Sequence, residues 1–232
     1  MNCPAFASTA IAAALSLLTT HSHAMRPLAT DDAGVLERGA CELESSAPRS
    51  REPGLTRSEQ AVGGGCGIGL RSQIGLEGSR SRSGDERGQA GAIAGKTFLF
   101  GNDGAVQWAL GWSQGHERIE QRWQRSSREV ALLATLPVRR GFVHVNVGHS
   151  RDLLGRTDTT AWGLAFEHEG FGWGGARLAP MAEVFGDDRE RPWWNLGLQA
   201  RLRDDSIGLG LSWGRQFGSG HSQVAVGVKL SF

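Results

Sequence analysis

Histidines beside serines are where this 232-residue chain could carry hydrolytic chemistry. A histidine base activates a serine only when the two side chains meet. On one strand that needs a spacing of two, because side chains alternate between faces. His149–Ser150 and His221–Ser222 are adjacent, so in regular strands each pair diverges. No H-x-S-N-G occurs, and His144, His149, His168 and His221 read as wall or loop residues. The expectation is a protein that is not an enzyme, with a lipid-modifying hydrolase as the third-ranked reading and no catalytic residue assigned.

Metal and cofactor chemistry fare no better. Glu167-His168-Glu169 would splay across a strand, and no His/Cys set has zinc-ligand spacing. Gly63-Gly64-Gly65 lacks the lysine and hydroxyl of a phosphate loop. Neither a metal nor a cofactor is expected. Asp187, Asp188, Arg189, Glu190 and Arg191 gather both charge signs at one connection. Such a loop could take a cation or a headgroup, but a solvated loop held by ion pairs is the plainer reading. Cys41 and Cys66 flank the turn-rich A-P-R-S-R-E-P-G, and symmetric placement about a turn suits one cross-strand disulfide.

The elements that must position these residues alternate with a period of two. Val224, Val226, Val228, Leu230 and Phe232 share one face of a strand, and Gln223, Ala225, Gly227, Lys229 and Ser231 the other. Similar segments recur back to Glu37, separated by turn residues, as an all-β antiparallel fold requires. Counting the cysteine hairpin gives twelve strands. If no turn forms near Arg71-Ser72-Gln73, ten strands and an N-terminal segment are the alternative. G-N-D-G, V-R-R-G and D-D-S read as tight turns; Gly115–Ser127, Asp152–Thr159 and Gly186–Pro192 read as longer loops on the opposite side.

Alternation alone suits a soluble barrel as well as a transmembrane one. Three features favour the membrane: the loop asymmetry, the N-terminus, and a last strand resembling the aromatic-terminated signature of Gram-negative outer-membrane barrels. Residues 1–24 contain no acid and carry an apolar run from Ala10 to Leu18, with Ser22 and Ala24 placed for cleavage. The expected organisation is a signal peptide at 1–24, a periplasmic segment at 25–36 and an antiparallel transmembrane β-barrel at 37–232 in the outer membrane. Phe232 would then engage the barrel-assembly machinery, and membrane lipids would be partners. Lys plus Arg number 25 against 24 Asp plus Glu, so no nucleic-acid partner is expected. In a membrane barrel the polar faces turn to the lumen. The expected lining is Glu77, Lys96, Gln107, Glu167, Glu183, Asn195, Gln199, Arg201 and Lys229; Lys96 is the least secure, since Phe98 and Phe100 share its side.

R-P-L-A-T-D-D-A-G-V-L-E-R-G-A-C-E-L-E after Met25, Thr160–Glu169, Ala182–Pro192 and Asn195–Arg201 together carry a resemblance. They resemble uncharacterised Gram-negative outer-membrane barrel proteins related to the transporter-like family named after the meta-pathway of phenol degradation. The chain differs in a shorter build and in Ser45-Ser46-Ala47, where aromatic residues are frequent in that family. The resemblance implies a passive channel or transport-type protein for small solutes, which could be hydrophobic. The alternative is a closed structural or surface-interaction barrel with no flux.

Overall fold

The computed structural model describes residues 28–102 and 104–232. The expected signal peptide and residues 25–27 lie outside the described residues. β1 (Cys41–Glu52), β2 (Leu55–Gly69), β3 (Ser72–Ser83) and β4 (Glu86–Phe100) form one antiparallel run. It continues through β5 (Gln107–Ile119), β6 (Arg122–Val138), β7 (Gly141–Asp152) and β8 (Thr157–His168). A three-residue β9 (Phe171–Trp173) precedes β10 (Ala176–Asp187), β11 (Trp193–Leu202), β12 (Ile207–Gln216) and β13 (Ser222–Ser231).

Every long strand pairs with its sequence neighbour, and β13 pairs with β1 from Glu42↔Ser231 to Arg51↔Ser222. The sheet closes as a twelve-stranded antiparallel barrel, which leaves no unpaired edge. β9 continues the β8 side of β10 beyond Gly170, so it lengthens one wall and adds none. Two backbone bonds between Cys41 and Phe232 finish the seam. Both lie at one rim, called here the terminal rim; the opposite end is the distal rim.

The turn near Arg71 decides between ten strands and twelve. Leu70 and Arg71 both take positive φ (54° and 55°), the primed geometry that lets two residues reverse a twisted hairpin. The cysteines are cross-strand partners, disulfide-bonded at a Cα separation of 4.1 Å.

The loop asymmetry is corrected. Gly115–Ser127 is no loop: β5 runs to Ile119, β6 starts at Arg122, and Glu120–Gln121 reverse the chain with φ of 46° and 69°. At the terminal rim G-N-D-G belongs to a six-residue connection, 101–106. Strands that outrun the apolar belt are polar on both faces, and in sequence they read like loops.

Outward-facing side chains make the apolar belt. Leu110, Trp112, Leu132, Leu196, Leu211 and Val226 stand about half exposed on it. Such a surface suits lipid, not water. Inward faces carry the polar and small residues.

Candidate functional site

The site is the lumen. Twelve strands about 4.8 Å apart and tilted by roughly 40° enclose an interior about 24 Å across, more than facing side chains alone can fill. Part of it is occupied by the chain itself. Residues 28–36, expected as a periplasmic segment, lie inside the barrel against the β4–β11 half of the wall.

Barrel side chains accept from the backbone donors of Ala29, Thr30, Asp31, Ala33 and Leu36, while Asp32 N and Gly34 N donate to the segment's own aspartates. The Glu183 carboxylate accepts from Ala29 N (2.8 Å), Thr30 N (2.9 Å) and Thr30 Oγ1 (2.9 Å). Asn195 Nδ2 donates to the same carboxylate at 3.0 Å. Lys96 Nζ reaches both Asp31 oxygens at 3.2 and 3.1 Å and the Asp32 carbonyl at 3.1 Å. Ala33 N donates to Thr135 Oγ1 (2.8 Å), and Leu36 N to Gln73 Oε1 (2.8 Å). The Asn146 amide, oriented so that both its ends are satisfied, donates to the Asp31 carbonyl (2.9 Å) and accepts from its N–H (2.6 Å).

Apolar contacts complete the seat. Leu28 packs with Ala165 and Met181, and Ala33 with Ala109 and Leu133. Two glycines make room. A Cβ on Gly163 would stand 2.5 Å from Thr30 Oγ1, and one on Gly67 would stand 2.0 Å from the Glu37 carbonyl.

All nine expected lining residues face inward. Lys96, Glu167, Glu183, Asn195 and Gln199 are buried, while Glu77, Gln107, Arg201 and Lys229 keep some solvent access. Lys96 is resolved by a bulge: Phe98 pairs with inward Ala109, but Phe100 pairs with outward Trp108. The bulge turns Phe100 out of the lumen. Glu167 binds Arg201, whose Nε donates to Gln199 Oε1 at 2.9 Å. On its other side His144 Nε2 stands 3.4 Å away, and His144 Nδ1 shares a 3.0 Å hydrogen bond with Thr135. His144 is only 2% exposed and lies under the segment; His149 points outward beside Asp158.

The two halves of the lumen differ in access. Inward residues of β13, β1, β2 and β3 keep partial solvent access along their length, except Gly67 and Gln73 beneath the segment. Glu42, Glu44, Glu59 and Glu77 line that open wall. Lys229 bridges Glu42 and Glu44 (3.3 Å to Glu44), and Arg57 stands 3.6 Å from Glu52. Across the lumen one gap between segment and wall, of about 40 Å³, is lined by Thr30, Glu129, Asn146 and Phe185 among others. That is room for water, not for a solute.

The rim loop holds itself through backbone hydrogen bonds instead of the expected ion pairs. Asp187 Oδ1 caps Arg189 N and Glu190 N, Asp188 exchanges bonds with Thr160, and Arg189 donates to the Asp158 carbonyl. Arg191 donates to the Gly218 carbonyl. Partial burial raises the Glu190 pKa, and the neighbouring Asp187 charge raises it further. Among the described residues no cluster of His, Cys, Asp and Glu could hold a metal ion.

A family model described as uncharacterised conserved protein UCP029691 matches residues 12–232. The chain belongs to that family. No curated protein matches it in sequence. Among solved structures it is similar to a KdgM porin in complex with disordered oligogalacturonate, at 8% identity and a TM-score of 0.60. That match covers 82% of this chain and 99% of the porin. It is also similar to an outer membrane channel from Pseudomonas putida F1, at 13% identity and TM-score 0.58, covering 87% of this chain and 98% of the channel. The NanC porin matches at 10% identity and TM-score 0.55, over 81% and 98% of the two chains. At these identities the likeness is one of fold: the twelve-stranded barrel is that of outer-membrane porins.

The inserted segment had no signal in the pattern of alternation. The one hint was compositional: T-D-D-A-G offers small residues and carboxylates to a wall that expects to bury Lys96.

Proposed function

We propose that the protein is an outer-membrane channel barrel that passes small solutes passively along the β13–β1–β2–β3 wall, with residues 28–36 narrowing the passage. The observation that carries this reading is the unequal access of the two half-lumens. One is partly filled by a latched segment over buried Lys96, Thr135, His144 and Glu183, and the other keeps partial solvent access along its strands. The apolar outer belt supports a membrane location, and the shared fold with porins supports a channel. Serines and carboxylates on the open wall favour polar solutes. Hydrophobic solutes rest on the resemblance to the phenol-degradation transporter-like family alone.

A latched segment is also what a closed structural barrel would contain, so the test must read flux. Purified protein in planar bilayers should give discrete conductance steps, and liposomes containing it should swell in isotonic small sugars. Absence of both, with heat-modifiable migration showing a folded barrel, would sink transport and leave the closed barrel.

A further inference from the structure

Six arginines, Arg80, Arg82, Arg87, Arg118, Arg128 and Arg151, stand exposed near the distal ends of β3 to β7. Alternation places all of them on the outward face. The carboxylates at the same level, such as Glu117, Glu129 and Asp152, occupy alternate positions and face inward. Register makes this more than a basic patch. Arg82 lies directly opposite Arg87 across β3 and β4, and Arg128 directly opposite Arg151 across β6 and β7. Like charges in facing positions destabilise a sheet unless something between them carries the opposite charge.

Among the described residues the protein supplies little of that charge. Arg118 donates to the amide oxygens of Gln89 and Gln121, and Arg128 to that of Gln114. Arg82 donates to the Gly84 carbonyl. Of the six only Arg151 meets a carboxylate among the described residues, Asp158 at 4.0 Å.

The same outward faces turn apolar toward the terminal rim. Val130 and Leu132 follow Arg128 on β6, and Trp112 and Leu110 lie beyond Arg118 on β5. A step of two residues is about 7 Å along a strand, so Arg80, Arg128 and Arg151 stand one or two steps above the belt, at headgroup height, and Arg82, Arg87 and Arg118 stand three steps above it. On β8 the corresponding outward positions are Asp158 and Thr160, so the band ends there, whereas on its other flank exposed Arg49 and Arg51 stand at the distal end of β1.

We infer that the outward face of β3–β7 at the distal rim binds the phosphorylated headgroup of an outer-leaflet glycolipid of the lipopolysaccharide type. Its phosphates bridge the facing arginine pairs while its acyl chains cover the belt below. Guanidinium groups suit this role because they pair with phosphate through two parallel N–H donors. A bridging phosphate also removes the repulsion within each pair. The inference rests on the outer-membrane placement proposed above, with the terminal rim at the periplasm so that the distal rim meets the outer leaflet, but not on flux.

The test is native mass spectrometry of full-length protein in a neutral detergent, titrated with bisphosphorylated lipid A, the same lipid after dephosphorylation, or phosphatidylglycerol. Bisphosphorylated lipid A should bind at least tenfold more tightly than either other lipid. R82Q/R87Q/R128Q/R151Q should abolish that preference while retaining heat-modifiable migration. Should the variant fail to fold, wild-type binding compared between low and high salt decides, with at least tenfold weakening expected at high salt. Equal binding of phosphorylated and dephosphorylated lipid, equal binding of phosphatidylglycerol, or salt-independent binding would each overturn the inference. Conductance of the same preparation keeps the two readings apart: lipid binding without conductance removes the channel and leaves this site.

Discussion

Glu183 and Thr30, 153 residues apart in sequence, are joined by two hydrogen bonds of 2.9 Å, one from the backbone N–H and one from the side-chain hydroxyl. The contact ties the N-terminal segment to β10 in the barrel interior. Glu183→Ala leaves the N–H groups of Ala29 and Thr30 without their acceptor in a buried place, at a cost of about 3 kcal/mol. The expected result is release of the segment from an intact barrel. Amide exchange at Ala29, Thr30 and Ala33 should quicken by about a hundredfold for that cost. Conductance should rise with it, and unchanged exchange would show that the seat does not depend on Glu183.

The glycine at 163 gives an independent handle on the same seat. Gly163→Ala sets a methyl group 2.5 Å from Thr30 Oγ1, and β8 cannot yield without disturbing two ladders. Overpacking of this kind costs about 2 kcal/mol. The substitution should quicken the same amides, and adding Thr30→Gly should relieve the collision while forfeiting the hydroxyl bond. A double variant that protects the backbone N–H of residue 30 better than Gly163→Ala alone is the expected outcome in hydrogen exchange.

These predictions concern the part of the molecule that the sequence concealed. Period-two alternation was enough to place Glu183, Asn195 and Lys229 on inward faces, because a pleated strand leaves no third choice. It was enough, too, to pair Cys41 with Cys66 across one turn. Alternation says nothing about what enters a lumen, since a segment without periodic structure leaves no periodic trace. It also misread Gly115–Ser127, where strands beyond the belt are polar on both faces and lose the contrast that marks a strand. Phe98 and Phe100 show a smaller limit: one bulge residue, Leu99, reverses a face, and no residue type at that position announces it.

Cys41–Cys66 joins β1 to β2 beside the seam where Cys41 also pairs with Phe232. The cross-link spans 25 residues and restricts the unfolded chain by about 3.5 kcal/mol on the loop-entropy account. Dithiothreitol, or Cys41→Ser with Cys66→Ser, should therefore lower the temperature at which the band shifts to unfolded mobility. Conductance at room temperature should stay unchanged, because Cys66 lies on the outward face and lines no passage. An unshifted transition would mean that the ladder alone holds the hairpin.

Charge on the open wall sets the remaining expectation. Glu42, Glu44, Glu52, Glu59 and Glu77 share that half-lumen with Lys229 and Arg57, so its fixed charge is negative and cations should be favoured along it. Reversal potentials in a potassium chloride gradient should show a cation preference. Lys229→Gln removes the cation that bridges Glu42 and Glu44 and should raise the preference by about twofold or more, as each wall charge in a narrow passage shifts the local potential by an amount comparable to thermal energy. Glu59→Gln with Glu77→Gln should lower it, and the effect should fade at 1 M salt, where the screening length falls to about 3 Å. The corresponding Glu129→Gln, on the wall beneath the segment, should leave the reversal potential where it was. If Glu129→Gln shifts selectivity as much as Glu77→Gln does, ions use the half-lumen occupied by residues 28–36, and the segment is not the partition that its contacts describe.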